Sequence, residues 1–211
     1  MSRVPILSTV LVVLASAAMV ALGVWQLSRL REKEALIARY QANQAQPLLP
    51  LSIHEPLSEG ALYRRVSATC TSVLGWQVQA GRSAAGTPGW RHIATCPLAG
   101  ARLAVDLGVS DQSAPPAWAG GVITGRLIEA PTGEPLIERL FAKAPPPTPM
   151  IVSDQPAPGL ARSADPDPSA IPNNHLAYAV QWFLFAAVAL IVYALALRRR
   201  GRSVAPPPPR R

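Results

Sequence analysis

The chain has 211 residues, 49% of them hydrophobic, and a formal net charge of +8. All 12 acidic residues lie between Glu32 and Asp167, while seven of the 20 Lys+Arg are Arg3, Arg198, Arg199, Arg200, Arg202, Arg210 and Arg211. A strongly basic chain invites a nucleic-acid reading, but charge confined to two short ends is that of a membrane-anchoring tail, so no nucleic acid is expected.

Residues 1–3 form a short N-terminus, and residues 4–26 read as a first transmembrane helix. Val4–Val24 carries no charge and only Ser8, Thr9 and Ser16 as hydroxyl interruptions. Ser2-Arg3 and Ala15-Ser16-Ala17 resemble the ends of a cleaved signal peptide. The apolar run is longer than the roughly 7–15 residues of such a segment, and a retained anchor is expected.

Residues 27–143 read as one mostly-β domain. It opens on a helix continuing out of the membrane, with Leu27, Leu30, Leu36, Ile37 and Tyr40 on one face and Pro47 and Pro50 ending it. Short β-prone runs follow at Arg64–Val73, Gly75–Ala80, Trp90–Thr95, Arg102–Leu107 and Gly121–Ile128. Gly86, Pro88 and Gly89 mark a loop, and a tight turn is expected near Ala99-Gly100. Such punctuation indicates an antiparallel sheet or small barrel. The fold class is therefore α+β: two transmembrane helices flanking a mainly antiparallel β domain outside the cytoplasm.

Residues 144–172 read as a proline-rich linker, with nine prolines between Pro145 and Pro172. It is expected to run extended over the surface, with Met150-Ile151-Val152 docking at most as an edge strand. Residues 175–197 form the second transmembrane helix, since an apolar run of that length crosses a hydrocarbon core of about 30 Å. Residues 198–211 form a basic tail ending in PPPPRR. An acid-free basic segment directly after a span reads as cytoplasmic, which puts both termini inside and the domain outside. Arg29, Arg31, Lys33 and Arg39 after the first span argue the other way, but the tail is denser.

Cys70 and Cys96 fall in separate strands. A disulfide is permitted outside the cytoplasm, two buried thiols filling a core are the alternative, and a copper dithiolate is a third option. Spacing does not decide between them. Hydrolase and nucleotide-binding motifs are missing. His54 lies in a proline-bounded loop, His92 reads as a surface or sheet-edge residue, and Asp106 as the turn that ends an apolar strand. No triad assembles from these, and no enzyme is expected.

The richest stretch is NNHLAYAVQWF, Asn173–Phe183, where a histidine stands at the mouth of a span. Asn174 suits a helix N-cap. An ionisable group at the edge of a membrane helix is a functional candidate. His175, Tyr178 or Ala179, and Trp182 share one face. Small Ala179 and Ala186 lie along this side, with Trp182 and Phe183 as apolar neighbours. In an antiparallel pair of spans, Trp25 and Gln26 lie at the depth of His175. The plainer reading makes His175 an interfacial polar residue and Trp25, Tyr178 and Trp182 an aromatic belt.

GVWQLSRLREKEALI, Gly23–Ile37, resembles the first signature of the surfeit-locus (Shy-type) family of cytochrome c oxidase assembly factors. Gly23, Trp25, Gln26, Arg29 and Lys33 carry the match. Tyr63-Arg64-Arg65-Val66 is similar to the family's Tyr-Arg-x-Val strand, and the loop Gly86-Thr87-Pro88-Gly89, followed by a strand, is similar as well. NNHLAYAVQWF resembles its second signature. One departure is Asp106-Leu107-Gly108-Val109, where the family has Asn-Arg-Gly-Trp. The proline-rich stretch from Phe141 to Pro172 is another. The resemblance implies an inner-membrane factor that aids haem a insertion into a haem–copper oxidase. Its partners would be the oxidase catalytic subunit, the haem a synthesis machinery and membrane lipid. It implies His175 as the haem iron ligand; by shared helix face and matching depth, Trp182, Tyr178, Trp25 and Gln26 would then stand around the cofactor, with Ala179 and Ala186 offering a flat surface to the macrocycle and Trp182 and Phe183 as walls. Arg64 and Arg65 could pair with haem propionates, although a solvated strand face suits them better. The reading of a different class is a membrane-anchored periplasmic scaffold without cofactor.

Overall fold

The computed structural model describes residues 5–51, 59–98, 101–131 and 148–202. Two compact units emerge, one of residues 1–36 and 172–211, the other of residues 37–171. Helix α1 (Ile6–Gln44) contributes to both, and α2 (His175–Arg202) to the first alone. Both are long and apolar enough to cross a membrane. Beyond its apolar part α1 continues because Leu, Arg, Glu, Lys and Ala, all good helix formers, fill the following turns. It stops at Gln44, ahead of Pro47. The last turn is fastened within the second unit. Buried Asn43 donates Nδ2–H bonds of 2.8 Å to the carbonyls of Gly60 and Leu62, and Tyr40 stacks on Tyr63 at 4.6 Å.

The second unit is built on a seven-stranded sheet. Its strands are β1 (Leu49–Pro50), β2 (Arg65–Cys70), β3 (Gly75–Arg82), β4 (Pro88–Leu98), β5 (Ala101–Ser110), β6 (Gly121–Glu129) and β7 (Pro149–Ser153). They lie in the order β1-β2-β6-β7-β5-β4-β3, antiparallel except for β1 on β2 and β5 on β7. Alternation sorts the side chains to two faces, as a pleat requires. Val66, Ala68, Leu103, Val105, Leu107, Ile123, Leu127 and Ile151 fill the main core, and Ile93, Ala104, Met150 and Val152 a smaller one.

The sheet curls. β2 and β4 are separated by three other strands, yet Cys70 and Cys96 form a disulfide with Cα atoms 5.4 Å apart. Opposite ends of the sheet therefore meet over the main core as a partly closed barrel. This settles the cysteines against both buried thiols and a copper dithiolate. Strand adjacency in a curled sheet is not encoded in the spacing of two cysteines.

The proline-rich segment departs from expectation. Met150-Ile151-Val152 forms no edge strand but the centre of the sheet, pairing with β5 on one side and β6 on the other. Its prolines avoid the interior of the strand: Pro149 is its first residue, opposite Glu129, a position where a missing N–H is tolerated, and Pro156 and Pro158 follow it. Gly125 makes room, since a Cβ there would lie 2.1 Å from the Val152 carbonyl oxygen. Further along, Ala161 and Ser163 bridge to Val109 and Ser83, and Ala157 joins the core. Residues 148–171 are thus part of the domain and not a linker. The Ala99-Gly100 turn and His54 lie outside the described residues.

Two polar residues are also placed otherwise than the sequence suggests. Asp106 is no terminal turn; it sits inside β5 with 0% exposure. Its Oδ2 pairs with the Arg91 guanidinium, and its Oδ1 accepts from the Gly108 amide and the Ser163 hydroxyl. His92 is neither exposed nor at an edge. β4 lies between β3 and β5, and a bulge between Arg91 and Ile93 turns the ring inward. Nε2–H points at the Gln112 carbonyl and the Ser110 hydroxyl, 3.0 and 2.9 Å away.

Two stability outcomes are expected. Asp106→Ala leaves a guanidinium, a hydroxyl and an amide without their acceptor in a dry site and should cost about 3–5 kcal/mol in denaturant unfolding of the full chain. Removing the disulfide by Cys70→Ala with Cys96→Ala should cost about 3 kcal/mol, because the unfolded chain regains the freedom of the closed loop.

Candidate functional site

Unit one is an antiparallel helix hairpin. Along α1 the less exposed positions Thr9, Val12, Ser16, Met19, Gly23, Gln26 and Leu30 recur at alternating steps of three and four, the seam of a left-handed helix pair. Along α2 the matching positions are His175, Ala179, Trp182, Ala186, Ala189 and Tyr193. Small residues let the backbones approach. Ser16, Ala179 and Ala186 are 5%, 1% and 3% exposed, and the Phe183 ring lies so close over Gly23 that a Cβ there would stand 2.6 Å from it. Ala179 and Ala186 therefore form the seam and present no flat surface to a macrocycle. Lipid offers no hydrophobic drive to pair two helices, so close packing and polar contacts must hold them.

Polar contacts close both ends. At one end Tyr193 donates its hydroxyl to Thr9 Oγ1, 2.5 Å away, and the Thr9 hydroxyl in turn donates to the Pro5 carbonyl at 3.0 Å. At the other end His175 Nδ1 lies 2.7 Å from Gln26 Oε1. An amide oxygen only accepts, so Nδ1 carries the hydrogen, and in the neutral form of such a ring Nε2 is the nitrogen left with the lone pair. Beside it, Asn173 Oδ1 is buried with no donor among the described residues. The half-buried imidazole thus has its Nδ1 side fixed by Gln26.

The aromatic candidates stand around this pair without enclosing it. Trp25 and Tyr178 are about half exposed. Trp182 lies further down the hairpin, its ring edge-on to Phe185 at 6.1 Å. Gly23, Phe183 and Ala179 pack closely in the seam next to it. A flat ligand on His175 would lie against the open flank of the hairpin. The arginines have partners within the second unit: Arg65 pairs with Asp154 at 2.8 Å, and Arg64 donates to the Pro47 carbonyl at 3.0 Å. Among the described residues no group of three or more His, Cys, Asp or Glu could hold a metal ion.

The model of the SURF1 family matches residues 13–187. The chain belongs to the SURF1 family. No curated protein matches it. The SURF1 match begins inside α1 and ends inside α2, so it takes in Gln26 and His175 together. SURF1 proteins are membrane proteins known as cytochrome oxidase assembly factors, a family of factors and not of enzymes. The two long apolar helices are accordingly its membrane spans, flanking the mixed, mainly antiparallel sheet. Sequence reasoning missed the Gly23–Phe183 contact, which the three-four spacing of small and polar residues in α1 already signals.

Gln26→Leu should remove the acceptor that fixes the imidazole. In nitrogen NMR of histidine-labelled protein, His175 should pass from a single Nδ1–H form to a mixture of tautomers. An unchanged spectrum would mean that something other than Gln26 orients the ring.

Proposed function

We propose that the chain holds haem a on its helix hairpin while the catalytic subunit of a haem–copper oxidase is matured, with His175 Nε2 as the iron ligand. The hydrogen bond from His175 Nδ1 to Gln26 carries this reading, since a metal-binding imidazole commonly has its second nitrogen donated to an oxygen that fixes its orientation. The residues present suit the group: a bare nitrogen, exposed aromatic rings at Trp25 and Tyr178, and Trp182 below them. His175 would hold the iron of such a group, which would supply a metal centre suited to an imidazole nitrogen. Gln26 orients the ring, and the open flank leaves the macrocycle accessible for transfer. The partners on this reading are the oxidase catalytic subunit, the machinery that makes haem a, and surrounding lipid.

The acid-free arginine tail supports a topology with both termini in the cytoplasm and the β domain in the periplasm of a bacterial inner membrane. The disulfide accords with an oxidising compartment. One observation favours a second reading, a scaffold without cofactor. The seam beside His175 is closed, so the Gln26 contact would by itself serve as an interhelical hydrogen bond.

Purified full chain with haem a separates the two. His175→Ala should abolish the wild-type haem spectrum and stoichiometry, while His54→Ala leaves both, and Trp182→Ala loosens binding without changing the ligation state. Wild-type behaviour of His175→Ala would end the ligand assignment. Deleting the gene should lower haem-a-containing oxidase in the membrane while its subunit genes are still transcribed. For topology, a reporter active only outside the cytoplasm should be silent when fused after Arg211.

A further inference from the structure

The flank of α2 that carries Tyr178 and Trp182 does not end there. Tyr178, Trp182, Phe185, Ala189, Val192 and Ala196 recur at steps of four and three, which stacks them along one side of the helix. From Phe185 onward this side lines an open apolar groove of about 610 Å³, to which α1 contributes Val12. The Trp182–Phe185 ring contact joins the groove to the His175 end. Its floor asks for no polar partner, because the Tyr193 hydroxyl is already given to Thr9.

We infer that this groove seats the isoprenoid tail of the haem, so that Phe185 and Ala189 select a farnesylated macrocycle over one without a tail. The inference rests on the proposed haem reading. A macrocycle on His175 lies at the level of Tyr178 and Trp182, and its substituents then point along the flank. About 21 Å of helix separates His175 from Ala189 at roughly 1.5 Å per residue, a reach met by half a macrocycle plus an extended farnesyl chain. A lipid acyl chain would also fit an apolar groove, but only the haem tail is continuous with the ligand at its upper end.

The test titrates the full chain in detergent with haem o, which carries the tail, and haem b, which lacks it. Val188→Phe fills the groove from a position outside the helix seam and Phe185→Ala removes its wall; Leu184→Phe adds bulk at an exposed position that does not line it. Both groove variants should weaken haem o about tenfold and leave haem b within twofold, and Leu184→Phe should change neither. Retained haem b binding also reports an intact hairpin. Equal losses for the two haems in both variants, or no loss, would mean that the groove holds lipid or nothing specific, and overturn the inference while the haem reading stands. If the wild-type chain binds neither haem, the haem reading fails and takes the inference with it.

Discussion

The hairpin depends on how closely Gly23 lets α1 and α2 approach. In a bilayer, two apolar helices gain nothing by leaving lipid for one another, so association rests on dispersion at short range and on polar groups that have no water to turn to. The Phe183 ring over Gly23 supplies the first, with Ala179, Ser16 and Ala186 continuing the small-residue seam. Thr9–Tyr193 and Gln26–His175 supply the second, one near each end. The histidine is therefore oriented by the same packing that holds the spans together. It is not a side chain hung on a finished scaffold.

In the sheet domain a buried charge has a comparable part. Asp106 sits in β5 between apolar Val105 and Leu107 and is tolerated because Arg91, Ser163 and the Gly108 amide together satisfy it. Those partners come from three separate stretches of chain. A buried carboxylate so partnered ties β4, β5 and the segment after β7 to one register, since a slip would leave an unpaired charge in a dry core.

Much of this was legible in the sequence, for identifiable reasons. The spans, the helix continuing past the first of them, and strands β2 to β6 follow from hydrophobic period and turn residues, which are local signals. The facing depth of Gln26 and His175 follows from an antiparallel hairpin. What stayed hidden was non-local. The Cys70–Cys96 pairing depends on how far the sheet curls, and Asp106 reads as a turn until its partners are in place. Prolines around Met150-Ile151-Val152 suggested a linker because composition was averaged over a window wider than the strand. The alanines of α2 were ambiguous for a different reason: a small residue suits a ligand face and a helix seam equally, and only Gly23 and Phe183 opposite decide it.

The position of β7 in the sheet has a kinetic meaning. β5 and β6 never touch as a pair; each meets the other only through β7, which arrives late in the chain. Until it is available, β3-β4-β5 and β1-β2-β6 are two separate sheets, each presenting a long unpaired edge. Closure then requires contacts between residues far apart in sequence, the kind that slows folding. A chain emerging from N- to C-terminus would therefore pass through a stage with two sticky edges facing the space for a single strand. A short extended segment of another protein could occupy that space before Pro149–Ser153 does.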